Sequence, residues 1–309
     1  MSTKNVEILL AAYNGEKFIR EQIDSILNQT DTHWHLTVSD DGSTDGTPAI
    51  LEAYAARFPE KISLYHSNIR FGNARDHFFH LMRQCEAPHI LFSDQDDVWR
   101  PDKVERMMRA LLEAEAEVGA DTPVLVFTDL TPVDEKLRPI APSLMRMQQQ
   151  YADTIDYRAL LMQNIVTGCA TGINRALALL ADRCADTSQV IMHDWWLGVV
   201  AARFGKVVYL DESTILYRQH GGNCVGAKNA GSVRESLYRL LHIHQLRTSI
   251  AAKKRQAGFY LRVYGECFKP EELSFLNAFI LEKSGPAFYW RHRRLIHGFS
   301  RLAGMMLLG

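Results

Sequence analysis

Between residues 6 and 128, short apolar runs alternate with segments whose apolar residues recur at helical spacing, and that alternation constrains the fold more than any other feature of the chain. Residues 6–12, 36–39, 61–65, 90–92 and 124–127 each form an apolar run short enough to be a buried strand. Between them lie Ile19, Ile23, Ile26 and Leu27, then Leu51 and Tyr54, then Phe78, Phe79 and Met82, and finally Val104, Met107, Met108, Leu111 and Leu112, each set expected on one helical face. Strands alternating with helices predict an α/β fold with a mostly parallel central sheet and helices on both faces. In such sheets ligands bind at the carboxyl ends of the strands.

Those ends are where the polar residues gather. Tyr13-Asn14-Gly15 breaks the first strand, and Asp40-Asp41-Gly42-Ser43-Thr44-Asp45 follows the second. Ser43, Thr44 and Asp45 are N-cap candidates, with Pro48 just inside the next helix. The run 90–92 stops at Asp94-Gln95-Asp96-Asp97, and Pro101 opens the following helix. Three acids within four residues repel one another, and a cation is the simplest way to neutralise them. Asp94 and Asp96 are hard oxygen ligands suited to Mg²⁺ or Mn²⁺, and Mg²⁺ favours one or two carboxylates plus phosphate oxygens. The pattern therefore points to a phosphorylated ligand. Two acidic clusters at the same sheet edge count for more than either alone.

Downstream, residues 130–155 are polar and Gln/Met-rich, an irregular excursion or lid, and 164–172 is a Gly/Thr-rich crossing segment. Met192-His193-Asp194-Trp195-Trp196 opens a helix that Gly205 stops, residues 206–210 form a strand, and 215–223 form a strand leading into a loop that Gly221-Gly222 would make mobile. From about Val233 the pattern is helical to the end.

A chain of 309 residues accommodates one large α/β domain, or one domain with an appendage. The net charge of −1 gives no electrostatic case for a nucleic-acid partner. The five cysteines (Cys85, Cys169, Cys184, Cys224 and Cys267) are unpatterned, as expected of reduced thiols in a cytoplasmic protein. No signal peptide is expected at the N-terminus, and no apolar run approaches the roughly 20 residues needed to cross a bilayer.

Four motifs thus stand in order: Ala12-Tyr13-Asn14-Gly15, Asp40-Asp41-Gly-Ser-Thr-Asp, Asp94-Gln95-Asp96-Asp97 and His193-Asp194-Trp-Trp. Together they make residues 5–227 similar to the family 2 glycosyltransferases of the GT-A fold. Tyr217-Arg218-Gln219-His220-Gly221 and the run from Ser93 to Trp99 resemble the bacterial rhamnosyltransferase branch of that family. The resemblance implies a Rossmann-like GT-A catalytic domain over 1–227, with a nucleotide-sugar half to about 128 and an acceptor half from about 129, followed by a helical C-terminal appendage over 228–309.

It also implies roles. Ala12, Tyr13, Asn14, Asp40 and Asp41 would contact base and ribose, with Arg75 on the nucleotide side and Gln95 on the donor. Asp94 and Asp96 would bind a divalent metal, His220 would complete its shell, and Arg218 would face the diphosphate. Asp97 would orient sugar hydroxyls or cap the next helix. Asp194 would be the general base of an inverting transfer, with Trp195 and Trp196 as apolar walls and sugar platform. The implied reaction moves L-rhamnose from dTDP-L-rhamnose to a sugar hydroxyl of a lipid-linked, O-antigen- or capsule-type acceptor; a UDP-hexose or UDP-N-acetylhexosamine is the alternative donor. A catalytically silent sugar-nucleotide-binding scaffold and a metal-dependent phosphotransfer enzyme are the readings from other classes. The segment Tyr289-Trp290-Arg291-His292-Arg293-Arg294, with the apolar stretch after Phe299, reads as an interfacial helix on the cytoplasmic face of the inner membrane or as a helix packed on the catalytic domain.

Overall fold

The computed structural model describes residues 6–152, 155–221, 243–281 and 285–308. The first half alternates as the periodicity requires: β1 (Val6–Ala12), α1 (Ile19–Leu27), β2 (Trp34–Asp40), α2 (Thr47–Arg57), β3 (Ile62–Tyr65), α3 (Ala74–Gln84), β4 (His89–Ser93), β5 (Val98–Trp99), α4 (Lys103–Val118) and β6 (Val124–Val133). Then come α5 (Leu144–Met147), α6 (Tyr157–Met162), β7 (Thr171–Asn174), α7 (Arg175–Ala181), α8 (His193–Phe204) and β8 (Lys206–Arg218). Four helices close the described chain: α9 (Ile243–Tyr264), α10 (Pro270–Ile280), α11 (Pro286–Arg291) and α12 (Phe299–Leu308).

One eight-stranded sheet runs in the order β3-β2-β1-β4-β7-β6-β8-β5. The parallel pairings β1/β2, β1/β4, β2/β3 and β6/β8, with β7 antiparallel to both β4 and β6, leave six strands pointing one way and only β7 and β5 reversed. The sheet is mixed, mostly parallel, with helices on both faces: a GT-A-like architecture with a helical C-terminal region.

Alternation along the strands sorts the core into two faces. Ile8 and Leu10 of β1, with Val124 and Val126 of β6, pack under α1, α2 and α4 through Ile23, Leu51 and Met107. Leu9, Leu125 and Phe127 face the other way, onto α3, α6 and α8. Gly172 of β7 is what lets α4 approach, since a Cβ there would lie 2.5 Å from Leu91 and 3.0 Å from Met107. Leu112 leaves the expected face of α4 and is 51% exposed. Val104, Met107 and Leu111 of the same helix are fully buried.

β7 matters for the site. Its residues pair antiparallel with β4, so its amino end, preceded by the 3-10 turn Gly168–Ala170, lies at the carboxyl end of β4. The carboxyl ends of β1, β2, β4, β6 and β8 share that edge.

The excursion expected over 130–155 is partly regular. β6 runs on to Val133, a tight turn at 134–138 is closed by the Val133–Pro139 bridge, and α5 follows; residues 153–154 lie outside the described residues. So do Gly222 and Cys224, the boundary expected near 227 and the expected start of the helical tail. α9 to α12 share one core with the α/β part of the chain: Tyr260, Tyr264, Phe279, Tyr289 and Met305 belong to the same hydrophobic cluster as Trp196 of α8. Among the described residues no helix is long and apolar enough to cross a membrane.

Candidate active site

A cleft of about 490 Å³ opens at the carboxyl edge of the sheet. It is lined from β1 by Ala12 and Tyr13, from the β2 turn by Asp41, from the β4 turn by Asp94, Gln95 and Asp96, and from the start of α8 by His193 and Asp194. Seven residues singled out by sequence, from three strand ends and one helix start, thus face one space.

On the nucleotide side the turns hold each other. Asn14 adopts φ 49°, a conformation asparagine tolerates better than most residues. Its N–H donates to Ser43 Oγ (2.7 Å) and its Oδ1 accepts from the Thr44 N–H (2.8 Å). The Gln95 amide pairs with the Tyr13 backbone at 2.8 and 2.9 Å, joining the β4 turn to the end of β1. Gly15 leaves room for that amide, since a Cβ there would lie 2.4 Å from Gln95 Oε1. The buried Asp41 carboxylate accepts from the N–H groups of Phe71 (2.5 Å) and Gly72 (2.7 Å), so it anchors the 70–73 loop while lining the cleft.

Three side chains expected on the nucleotide side have partners of their own in the structure. Asp40 does not line this cleft: its carboxylate accepts from the N–H groups of Gly42 and Ser43 and from the Ser43 hydroxyl, holding its own turn. Asn14 likewise spends its side chain on the neighbouring turn. Arg75 points away, its guanidinium donating to Asp76 at 2.8 and 2.9 Å and to the Val190 carbonyl at 2.8 Å. That pairing holds the Asp76 carboxyl well below the usual carboxylate range. The cation at the rim is instead Arg70, which donates to the Tyr13 hydroxyl (2.9 Å) with its guanidinium 5.3 Å from the Tyr13 ring centroid.

The acidic turn is electrostatically loaded. Burial, then the Asp96 and Asp194 charges, pushes the Asp94 carboxyl up to about 7. Asp97 is fully buried; burial, then the Asp96 and Asp94 charges, pushes it well above its ordinary value. Its Oδ1 accepts from the Arg218 N–H (3.0 Å), so it neither meets a sugar nor caps a helix, and Asp102 precedes α4 instead. Arg218 is 1% exposed and inverts its expectation as well. Its guanidinium donates to the carbonyls of Asp96 (2.8 Å) and Glu135 (2.5 Å) and to Glu21 (2.7 Å), and lies 4.5 Å from the Phe18 ring centroid. It clasps the acidic turn from beneath rather than facing a diphosphate. His220 Nε2 lies 2.8 Å from Asp96 Oδ2.

The donor set fits a hard divalent cation. Asp94 and Asp96 face the cleft, and added positive charge relieves the repulsion that raises Asp94. A tighter group lies below, where one ligand atom each of Asp94, Asp97 and Cys169 come within 4.8 Å of one another. The buried Lys103 amine lies close by, donating to the Cys169 carbonyl and sitting 3.8 Å from the Trp99 ring centroid, and burial pulls its pKa down to about 7. Asp94 and Asp96 line the cleft, whereas Asp97 and Cys169 do not.

Asp194 closes the far wall. It is 8% exposed, burial pushes its carboxyl up to about 7, and Oδ1 accepts from the Trp195 N–H (2.5 Å). The two tryptophans do not flank it as walls. Trp195 turns its Nε1–H to the Leu160 carbonyl, and Trp196 is fully buried against Phe259, Tyr260 and Tyr264 with Nε1 donating to Ala181 (3.1 Å). Of the four side chains of the motif, His193 and Asp194 line the cleft and the two tryptophans do not. Sequence reasoning assigned no role to Arg70, His77, Gly168, His193 or Tyr217, all of which line the cleft. His193 and Tyr217 had a signal, lying beside the assigned Asp194 and Arg218; Gly168 had none beyond its Gly/Thr-rich context.

The profile described as "Glycosyl transferase family 2" matches residues 7–178, more than half of the chain. The chain belongs to glycosyl transferase family 2. Among curated relatives of this family 2 member, the dTDP-rhamnosyl transferase RfbG of Shigella flexneri is 29% identical over 247 residues, 74% of this chain and 81% of RfbG. S. aureus TarS (residues 1–349, with UDP-GlcNAc) superposes with a TM-score of 0.56 at 17% identity, covering 98% of this chain and 90% of that one. The Pyrobaculum calidifontis mannosyltransferase PcManGT, with GDP-Man and Mn²⁺, gives 0.51 at 15% identity, over 98% and 86%. At those identities the two structures speak for the fold. The chain is a glycosyltransferase.

Proposed function

We propose that this family 2 enzyme is an inverting rhamnosyltransferase that moves L-rhamnose from dTDP-L-rhamnose to a sugar hydroxyl of a lipid-linked surface-polysaccharide acceptor. The observation that carries the reading is the placement of Asp194, a carboxylate with a raised pKa, across one cleft from the Asp94-Gln95-Asp96 turn. The name of the relative RfbG supports the donor.

The diphosphate lies along the Asp94-Gln95-Asp96 turn, with the base near Tyr13, Asp41 and Arg70. Asp94 and Asp96 would hold Mg²⁺ or Mn²⁺, with His220 beside Asp96, and such an ion would supply positive charge at the diphosphate. Asp194 takes the proton from the acceptor hydroxyl as its oxygen attacks C1 from the face opposite the diphosphate. The C1–O bond to phosphate breaks, and the configuration at C1 inverts. The cytoplasmic side of the membrane is the location this acceptor requires. Residues 285–308 carry four arginines and no acid, with Trp290 57% and Leu307 75% exposed, which suits contact with an anionic membrane face.

A UDP-sugar donor is the second reading, favoured by the shared fold of TarS, solved with UDP-GlcNAc. A thermal-shift panel of dTDP, dTDP-L-rhamnose, UDP-glucose, UDP-GlcNAc and GDP-mannose, with and without Mn²⁺, separates them. A metal-dependent shift confined to dTDP species is expected. A shift with UDP species alone replaces the donor, and no shift with any ligand removes the reading.

A further inference from the structure

Arg75 turns away from the cleft, but the segment it reaches leads directly into Asp194. Helix α8 starts at His193 with Met192 at its N-cap position, and no side-chain hydrogen bond caps it. A helix start without a cap leaves its placement to the residues just before it. Those residues, 187–191, are tied to two other helices. Arg75 of α3 donates its Nη1–H to the Val190 carbonyl (2.8 Å), and Asp76 Oδ1 accepts from the Thr187 hydroxyl (2.7 Å). Gln256 of α9 accepts from the Ile191 N–H (2.7 Å).

The same network ends, on its other side, at the nucleotide loop. The Asp76 carboxylate accepts from Arg75 Nε (2.9 Å) and Nη2 (2.8 Å), from Asn73 Nδ2 (2.7 Å) and from the Thr187 hydroxyl. A carboxylate has about four lone-pair positions, so all of them are used, and the two bonds from one guanidinium fix its orientation. Asn73 caps α3 by accepting from the Asp76 N–H (2.9 Å) and lines the cleft, and the Gly72 N–H before it is held by Asp41. One ion pair thus joins the loop at the nucleotide end of the cleft to the segment that delivers Asp194 at the other.

We propose that Arg75 and Asp76 are positioning residues for glycosyl transfer, holding the start of α8 so that the Asp194 carboxylate stays aligned with a donor bound against the 70–73 loop. The proposal rests on Asp194 being the base. Neither Arg75 nor Thr187 lines the cleft, so their loss acts on turnover and not on donor affinity. A misplacement of about 1 Å at the reacting groups can cost about 10²-fold in rate.

The test is steady-state release of nucleoside diphosphate from dTDP-L-rhamnose and from UDP-GlcNAc in Mn²⁺, with water and an octyl glycoside as acceptors. With the donor that wild type turns over, Arg75→Met should lower kcat at least tenfold and leave the donor KM within twofold. Thr187→Val removes one bond at a half-buried site and keeps the ion pair, so it folds even where Arg75→Met does not, and it should lower kcat at least threefold with the same KM. Arg83→Met is the control, because Arg83 also lies on α3 but bonds Asp182 and the Cys184 carbonyl and not residues 187–191; its kcat should match wild type. Wild-type kcat in folded Thr187→Val, a donor KM raised more than twofold in either variant, or an equal loss in Arg83→Met overturns the proposal. Asp194→Asn separates the two readings. If it turns over like wild type, or if wild type turns over neither donor, the base assignment fails and this inference falls with it; if it is inactive while Arg75→Met and Thr187→Val match wild type, only this inference fails.

Discussion

Asp194 and Asp94 hold their protons to about pH 7, roughly three units above an ordinary aspartate, and that has a kinetic consequence. A general base works only when ionised, so the rate of transfer should rise with pH through about 7 and level off above it. The pH profile of kcat/KM at saturating Mn²⁺ checks this; a profile flat from pH 5.5 to 8.5 would remove Asp194 from the role. Asp194→Asn should lower transfer by about 10²–10⁴-fold with donor affinity unchanged. Asp96→Ala should weaken metal-dependent donor binding, and full activity in excess chelator would refute the metal site. His193 makes a stability prediction. Its folded pKa is depressed while the unfolded chain takes the proton near 6.5, so stability is lost as pH falls from about 6.5 toward 3. His193→Phe should flatten that acid limb in urea denaturation between pH 7.5 and 5.

Elements set limits that single side chains do not. The antiparallel β7 carries Gly168 and Cys169 to the acidic edge, and the passage from α8 into β8 must clear β6. Gly205 sits at that passage, where a Cβ would lie 1.8 Å from the Pro123 carbonyl oxygen. That neighbour is backbone, so Gly205→Ala must push β6 and β8 apart at the start of their ladder. The expected outcome is insoluble protein, or a melting temperature lowered by many degrees, against near-neutral behaviour for Gly285→Ala, where nothing among the described residues lies within 4 Å. Arg218 ties the end of β8 to the β4 turn and α1. Arg218→Met should cost on the order of 3 kcal/mol, because buried acceptors lose a charged donor. Lysine should not restore it, having no planar fork to serve three partners.

For the whole molecule, the C-terminal helices complete the core. Trp196 of α8 meets Phe259, Tyr260 and Tyr264 of α9, and Tyr264 donates to the Leu180 carbonyl (2.9 Å). A chain cut before α9 should aggregate when expressed, since it bares this aromatic surface. The outer side of α11 is a separate matter. Flotation with anionic and with neutral vesicles should show binding to the anionic ones only, weakened by salt. Arg291, Arg293 and Arg294 changed together to alanine should abolish it without altering donor binding. Equal flotation with neutral vesicles would point to apolar insertion through Trp290 and Leu307 instead.

By itself the sequence determined the strand-helix alternation, the two sheet faces and the edge at which acids collect. Those follow from periods of two and 3.6 residues and from turn formers, all of them local. Asp41, Asp94, Asp96 and Asp194 were legible as cleft residues because strand ends and a helix start leave few places to point. What only the tertiary structure decided was direction and company. Arg70 and Arg75 are five residues apart, yet one reaches Tyr13 and the other Asp76. Asp40 and Asp41 are adjacent, yet one holds a turn and the other lines the cleft. Trp196 went to the core and His193 to the cleft because α9 covers one side of α8 and β4 the other. Which side of a helix or turn is covered depends on elements distant in sequence, and no local pattern carries that information.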